Sequence, residues 1–449
     1  AEAAPVDART DVRIKGSAGL AEFCAIDNFP VVAGLVVNDA CYIATKTGIY
    51  RIFPDGGAYK LGTISIGRDG KASTNGLDCV VVDGLRIWSY TYRADEQSLY
   101  DTNAPFIDYA VELTNAANYY PANTVDFLNQ RFVFDRAGTG QFYNTDVLSL
   151  TVGVANFNTA ESSPDDVTAV FVNHQILAVF GRATTEFDYD TGTGDAPYER
   201  VPGGTTEYGI AGPYCVAKVD NTTFVVTNTG QVVAYQAYVP QQVSTPAITD
   251  EMKLHDLSKS TCIAYKDGTH LYFQVNLEPN GVDVPGISLV YDLSTNLWHA
   301  RKDNDYGRHR ASCYMYAFGK HLVGDFASGS VYELSTDVYD NAGEPLIAEI
   351  ITGPVVTATR LAKHSCFELE VDVGFGNEYA LDPQIGLEIS DDDGKTFGNQ
   401  RLRPLGAIGN FNQRVRWWKL GAGRQRRYRI TLSDPVKRDF TSQAWVRVS

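Results

Sequence analysis

Between Arg401 and Arg447 the chain carries twelve Arg or Lys against only Asp434 and Asp439. A guanidinium presents a planar fork of donors that fits carboxylates and phosphates, so such a run can serve a nucleic acid or an acidic protein. Residues 346–400 oppose it with ten acids and three bases, which leaves 346–449 at only +3 and residues 1–345 at −19 within a chain total of −16. Local balance therefore favours a salt-bridged sheet face, with Arg414, Arg416, Arg427 and Arg429 pairing across strands with Glu368, Glu370 or Asp372. A docking face for an acidic protein is the second reading, with Arg424 and Arg426 added to those four as candidates. Direct phosphate contact is the third, and the net −16 opposes it because nucleic acids and membrane surfaces are themselves anionic.

Other constellations point to less. Ser390-Asp391-Asp392-Asp393-Gly394-Lys395-Thr396-Phe397 fits the Asp-box pattern Ser-x-Asp-x-Gly-x-Thr-aromatic, a hairpin turn built on Ser390, Asp392, Gly394 and Thr396. It resembles a calcium loop but lacks the spaced ligands and the terminal Glu, so no metal is expected. Glycosidase chemistry needs two carboxylates facing a sugar. Glu186, Asp188, Asp190 and Glu207 offer many carboxylates without selecting a pair. The seven histidines show no H-E-x-x-H spacing, no G-x-S-x-G elbow occurs, and Val201-Pro202-Gly203-Gly204-Thr205 lacks the Lys-Ser/Thr of a phosphate loop. No catalytic residue and no cofactor is assigned. The alternative kept open is a β-propeller that binds or cleaves glycans.

The elements that must carry these residues repeat. An apolar strand, a tight turn and a second strand with an aromatic recur at Tyr42–Tyr50, Phe224–Tyr235 and Gly324–Tyr332, with looser copies around Gly84, Gly140, Thr184 and Asn296. The spacing is irregular but near the roughly 40 to 50 residues of a four-stranded propeller blade. A blade cannot bury its own faces, so residues 20–345 are read as one β-propeller of six or seven blades, preceded by an N-terminal extension over 1–19. Asp340-Asn341-Ala342-Gly343-Glu344-Pro345 reads as a turn or linker. Beyond it, Phe367, Leu369, Val371 and Val373 alternate with acids, and Tyr428, Ile430 and Leu432 with Arg and Thr, which predicts a β-sandwich over 346–449. One short helix is expected near Ile248–Leu254. The fold class is all-β: a propeller followed by a sandwich.

Seven scattered cysteines without a C-x-x-C pair read as free thiols packed as small hydrophobes, which suits folding in a reducing cytoplasm. The numbering opens at Ala1, and upstream sequence is expected.

Arg401, Gln413-Arg414-Val415-Arg416-Trp417-Trp418-Lys419-Leu420-Gly421, Tyr428-Arg429-Ile430 and Ser433-Asp434-Pro435-Val436, taken together, resemble the end of the packaged-DNA stabilisation proteins of short-tailed phages, the tail hub or nozzle family. Tyr208-Gly209-Ile210-Ala211-Gly212-Pro213-Tyr214-Cys215, preceded by Thr184-Thr185-Glu186-Phe187, resembles a stretch in the middle of those proteins. The resemblance implies a structural virion-tail protein assembled in the host bacterial cytoplasm. Its implied partners are further copies of itself in a hexameric ring, the portal-adaptor ring, a tail needle or plug, tailspikes or fibres, and double-stranded DNA in transit.

Overall fold

The computed structural model describes residues 13–67, 69–160, 163–356 and 361–448. Residues 1–12 of the expected N-terminal extension lie outside the described residues. By internal contacts the chain divides into two units, Glu22–Glu333 and Ala1–Ala21 with Leu334–Ser449. Strands account for nearly all of the regular structure in both.

The first unit is a β-propeller with seven blades among the described residues, at 31–63, 71–112, 125–159, 167–206, 216–242, 261–301 and 311–335. Each blade is an antiparallel meander, and its first strand is the innermost. The innermost strands of the first four blades meet side by side, as do those of the last three, and the last of them, Ala311–Ala317, returns to the first, Val31–Val37. The seventh blade has only three strands of its own. Its fourth is the N-terminal Gly19–Ala25, laid beside Ser330–Ser335, with Ile26 N donating to Gly329 O at 3.0 Å.

Burial explains why the middle strands lose the alternation expected of a half-wet sheet. Ala40–Thr45, Thr222–Val226 and Ile287–Asp292 are buried at every position, because both sheet faces meet a neighbouring blade. Second strands end in a buried Thr or Asp that closes the next hairpin. Thr45 Oγ1 accepts from Gly48 N at 3.2 Å, Asp83 Oδ1 from Arg86 N at 2.6 Å, Thr227 Oγ1 from Gln231 N at 3.1 Å and Asp325 Oδ1 from Ala327 N at 2.9 Å. Similar bonds tie blades together: Thr124 Oγ1 donates to Asp135 and accepts from Val170 N of the fourth blade, while Asp126 Oδ2 accepts from Val172 N.

Six of the seven turn markers in the sequence fall at the connection between second and third strands. Asn296 does not. It turns Ile287–Asp292 into Leu297–Arg301, one hairpin late, because the sixth blade joins its second and third strands through a longer loop over 278–286. The expected helix is Pro246–Met252, started by Pro246 and by Thr245, whose side chain caps Ile248 N. A second helix, Glu96–Asp101, went unforeseen. Its Glu96 is buried and accepts from Tyr42 Oη at 2.8 Å, Arg51 Nη1 at 2.9 Å and Tyr90 Oη, pinning this insertion of the second blade onto the first.

The second unit is a sandwich. One sheet runs in the order Arg13–Lys15, Asp439–Val448, Ala362–Val371, Val415–Trp418; the other runs Ala348–Ile351, Gln425–Leu432, Gln384–Ser390, Arg401–Pro404. Phe367, Trp417 and Phe440 of the first pack on Leu387, Tyr428 and Ile430 of the second, with the Phe367 and Tyr428 rings 4.7 Å apart. Arg13–Lys15 pairs with Asp439–Thr441, so this part of the N-terminal segment, read as an extension, is an edge strand of the sandwich. Asp340–Asn341 and Glu344–Pro345 form a hairpin through Ala342 and Gly343, both at positive φ.

Asp188 gives the propeller a pH signature. It shares a strand face with Glu186 in the layer between the third and fourth blades, and burial, then the Glu186 charge, push its carboxyl up to about 7. The folded state thus holds this proton more tightly than the unfolded chain does. The penalty for ionising is absent below about pH 4 and complete above about pH 7. Asp188→Asn is expected to stabilise the chain by on the order of 3 kcal/mol at pH 8 and to change little at pH 4, as read from urea denaturation at the two pH values.

Candidate functional site

Val415 and Trp417 point into the sandwich core, so Arg414, Arg416 and Trp418 stand on the outer face of the first sheet. Tyr428 and Ile430 point inward from the second sheet, which sends Arg427 and Arg429 to its own outer face. The two sheets pack inner face to inner face. The expectation of four arginines on one exposed face is therefore corrected to two pairs on opposite faces. Alternation along a strand says inward or outward; it does not say which sheet the strand joins.

The pairing is local. Arg414 Nη2 and Arg416 Nε reach Glu368 Oε1 at 2.6 and 2.9 Å, and the register places Glu368 directly opposite Arg416. Arg427 Nε meets Asp393 at 2.7 Å. Arg429 pairs with Glu388 and, at 3.8 Å, with Glu349, and its guanidinium lies 4.2 Å over the Phe397 ring. Arg426 differs from all of these. Its side chain is 2% exposed, grips Asp391 with two bonds of 2.7 and 3.0 Å, and donates to Leu420 O at 2.8 Å. Of the six docking candidates it is the one built into the interior. Arg424 occupies the bend between Ala422–Gly423 and Gln425–Leu432.

Asp391 and Asp393 went unforeseen as partners, and the turn that carries them explains their aim. Ser390 Oγ donates to Asp392 Oδ1 at 2.6 Å and accepts from Gly394 N at 2.8 Å; Asp392 in turn accepts from Thr396 N and Oγ1 at 2.9 and 2.6 Å. The Ser390 and Thr396 hydroxyls hold the Asp392 carboxyl far below the usual carboxylate range. Gly394, at φ +91°, completes a turn that any side chain with a Cβ would strain. With Asp392 consumed inside the turn, its neighbours on either side face the arginines.

The carboxylates considered for sugar chemistry do not meet in an open cleft. Glu186 and Asp188 are buried between blades, whereas Asp190 is half-buried and Glu207 exposed. The propeller axis holds a cavity of about 280 Å³ lined by Gly34, Lys71, Tyr214, Lys218, Ile263 and Cys313 among others. Tyr214 Oη spans from the fifth blade to Asp69 O, ahead of the second, at 2.6 Å. Lys71 and Lys218 start or lie within innermost strands, a position that periodicity alone does not mark as axial. Among the described residues no group of three or more His, Cys, Asp or Glu converges as metal ligands would. All seven cysteines are free, and burial pushes the Cys24 thiol up to about 11 and those of Cys41 and Cys79 to about 12.

Two family models match consecutive parts of the chain: bacteriophage P22 Gp10, beta-propeller, over residues 20–339, and bacteriophage P22 Gp10, beta-sandwich, over residues 354–448. No curated protein matches the sequence. Similar solved structures include the β-propeller domain of Cps50 (Swd1) from Myceliophteria thermophila, at 9% identity and TM-score 0.46, covering 70% of this chain and 99% of that one. BamB from Moraxella catarrhalis is similar at 11% identity and TM-score 0.40, covering 68% of this chain and 83% of its own.

The arginine pairs should differ in energetic weight. Asp391→Asn leaves a buried guanidinium short of its counter-charge and is expected to cost about 2 to 3 kcal/mol. Asp393→Asn, which frees a partly exposed Arg427, is expected to cost less than about 1 kcal/mol. Paired urea melts of the two variants would show it; equal costs would contradict the assignment of Arg426 as structural.

Proposed function

The chain belongs to the bacteriophage P22 Gp10 family, structural proteins of the phage tail that stabilise packaged DNA, and from that membership we propose that it forms a nozzle ring beneath the portal and its adaptor. The observation that carries this reading is that the two family models, propeller and sandwich, follow one another in order along nearly the whole chain. In this role the ring extends the DNA channel, retains the genome together with a needle or plug, and conducts it on ejection. The protein binds and positions; it does not turn over a substrate.

The charge distribution supports the channel role. Phosphate binding depends on Lys and Arg, and residues 1–345 carry −19. A conduit wall drawn from that part of the chain repels duplex DNA, so the genome slides past without sticking. The sandwich, at +3, is the better docking element for acidic neighbours in the tail. Arg427 and Arg429 are our candidates for contact with an adjoining ring, because both stand on an outer sheet face, Arg427 beside the half-exposed Asp393 and Arg429 beside the half-exposed Glu349 as well as the more buried Glu388.

Light scattering on the purified chain, alone and mixed with the adaptor ring, is the direct test. A defined ring, or assembly that depends on the adaptor, is expected. A monomer indifferent to the adaptor would refute the nozzle reading. Replacing Arg427 and Arg429 by Gln is expected to weaken attachment to the adaptor ring without changing the thermal unfolding of the chain.

A further inference from the structure

The outer face of the sheet formed by Asp439–Val448, Ala362–Val371 and Val415–Trp418 carries two large aromatics in the open. Trp418 is 49% exposed and Trp445 51%. Their placement follows from register: Glu368 lies opposite both Arg416 and Trp445, and Cys366 opposite both Trp418 and Arg447. The face therefore reads as two cross-strand rows, Arg416–Glu368–Trp445 and Trp418–Cys366–Arg447, with tryptophan and arginine at opposite ends of each. Cys366 is buried beneath them and adds no charge.

The margin beside Trp418 is basic as well. Arg403 Nε donates to Arg416 O at 2.9 Å and Arg401 Nη1 to Lys419 O at 3.4 Å, so Arg401 and Arg403 cover the open edge of Val415–Trp418. Face and edge together hold Arg401, Arg403, Arg414, Arg416, Lys419 and Arg447 against Glu368 and Glu370. Glu368 is already shared by two arginines. Half-exposed tryptophans beside arginines have the composition on which protein interfaces concentrate their binding energy.

We infer that this face docks the acidic propeller of a second copy of the chain. The inference rests on the ring reading above and names the surface that would build the ring. Charge selects the occupant. Two such faces brought together would repel, which excludes a symmetric pairing of this face with itself, whereas residues 1–345 of every other copy carry −19. A contact between two different surfaces of identical chains is heterologous, and it either closes into a ring or continues as a filament. Duplex DNA fits the face less well, because the chain as a whole is anionic.

The test compares the full chain with Trp418→Ser/Trp445→Ser, and with Arg414→Gln/Arg447→Gln, which keeps both tryptophans. Mass is followed by light scattering over a concentration series at low and high salt, with thermal unfolding as the folding control. The tryptophan variant is expected to require a concentration on the order of a hundredfold higher to assemble. The arginine variant is expected to assemble more weakly than wild type and to lose part of its salt dependence; it carries the test alone if the first variant does not fold. Both variants assembling as wild type does would overturn the inference and leave the ring reading standing. A wild type that stays monomeric throughout, with the adaptor ring present as without it, would remove the ring reading and the inference with it. Binding of a short duplex DNA by wild type that both variants lose would also overturn the inference, in favour of nucleic acid.

Discussion

A sheet that is apolar on both faces is unstable until both are covered, and the propeller depends on meeting that condition all the way round. No blade covers itself. The fully buried middle strands hold only because a neighbour lies on each side, and the last neighbour is supplied by the return of the chain to its beginning, where Glu22–Ala25 completes the seventh blade. The seam shows how closely the ends must meet. A Cβ on Gly34 of the first blade would sit 2.2 Å from Met315 Sδ of the seventh, and one on Gly324 would sit 2.4 Å from Val31 Cγ1. A larger residue at either position would force the facing side chain to shift. Cys41 Sγ and Met315 Sδ, 3.8 Å apart, pack across the same seam.

In the sandwich the arginine-rich ending separates into roles that composition hides. Arg426 is part of the interior, bound in bidentate fashion by a carboxylate presented from a rigid turn. Arg427 and Arg429 are a solvent-facing pair on one sheet, and Arg414 and Arg416 share one glutamate on the other. A buried guanidinium tolerates no loss of its partner, whereas an exposed one exchanges a weak internal pair for an external one at little cost. The same short stretch can thereby hold the fold and meet a neighbour.

Much of this was legible in the chain. Hairpins with alternating apolar residues and Gly or Thr turns gave the blades, and strict alternation in 367–373 and 428–432 gave the inward face of each sandwich sheet. What escaped was whatever depends on pairing between distant segments. Asn296 marked the wrong hairpin because a long loop separates the strands of the sixth blade. The helix Glu96–Asp101 is too short to show a period, and it forms because Glu96 finds Tyr42, Tyr90 and Arg51 in two blades. Arg414, Arg416, Arg427 and Arg429 were correctly read as outward-facing, whereas Arg426 was not, and only the pairing of Arg416 with Glu368 and of Arg429 with Glu388 assigns the four to separate sheets. Arg13–Lys15 offered no alternation long enough to reveal a strand.

The closing strand also sets a timetable for synthesis. Gly19–Ala25 leaves the ribosome early, while Ser330–Ser335 follows about 300 residues later, a delay of roughly 15 to 60 s at bacterial elongation speeds. Throughout that interval a mostly apolar segment, Gly19-Leu20-Ala21-Glu22-Phe23-Cys24-Ala25, has an open edge and no partner. Its one charged residue, Glu22, is all that discourages pairing with another nascent chain. Each subunit is therefore most open to mispairing at this edge before its own ring of blades exists.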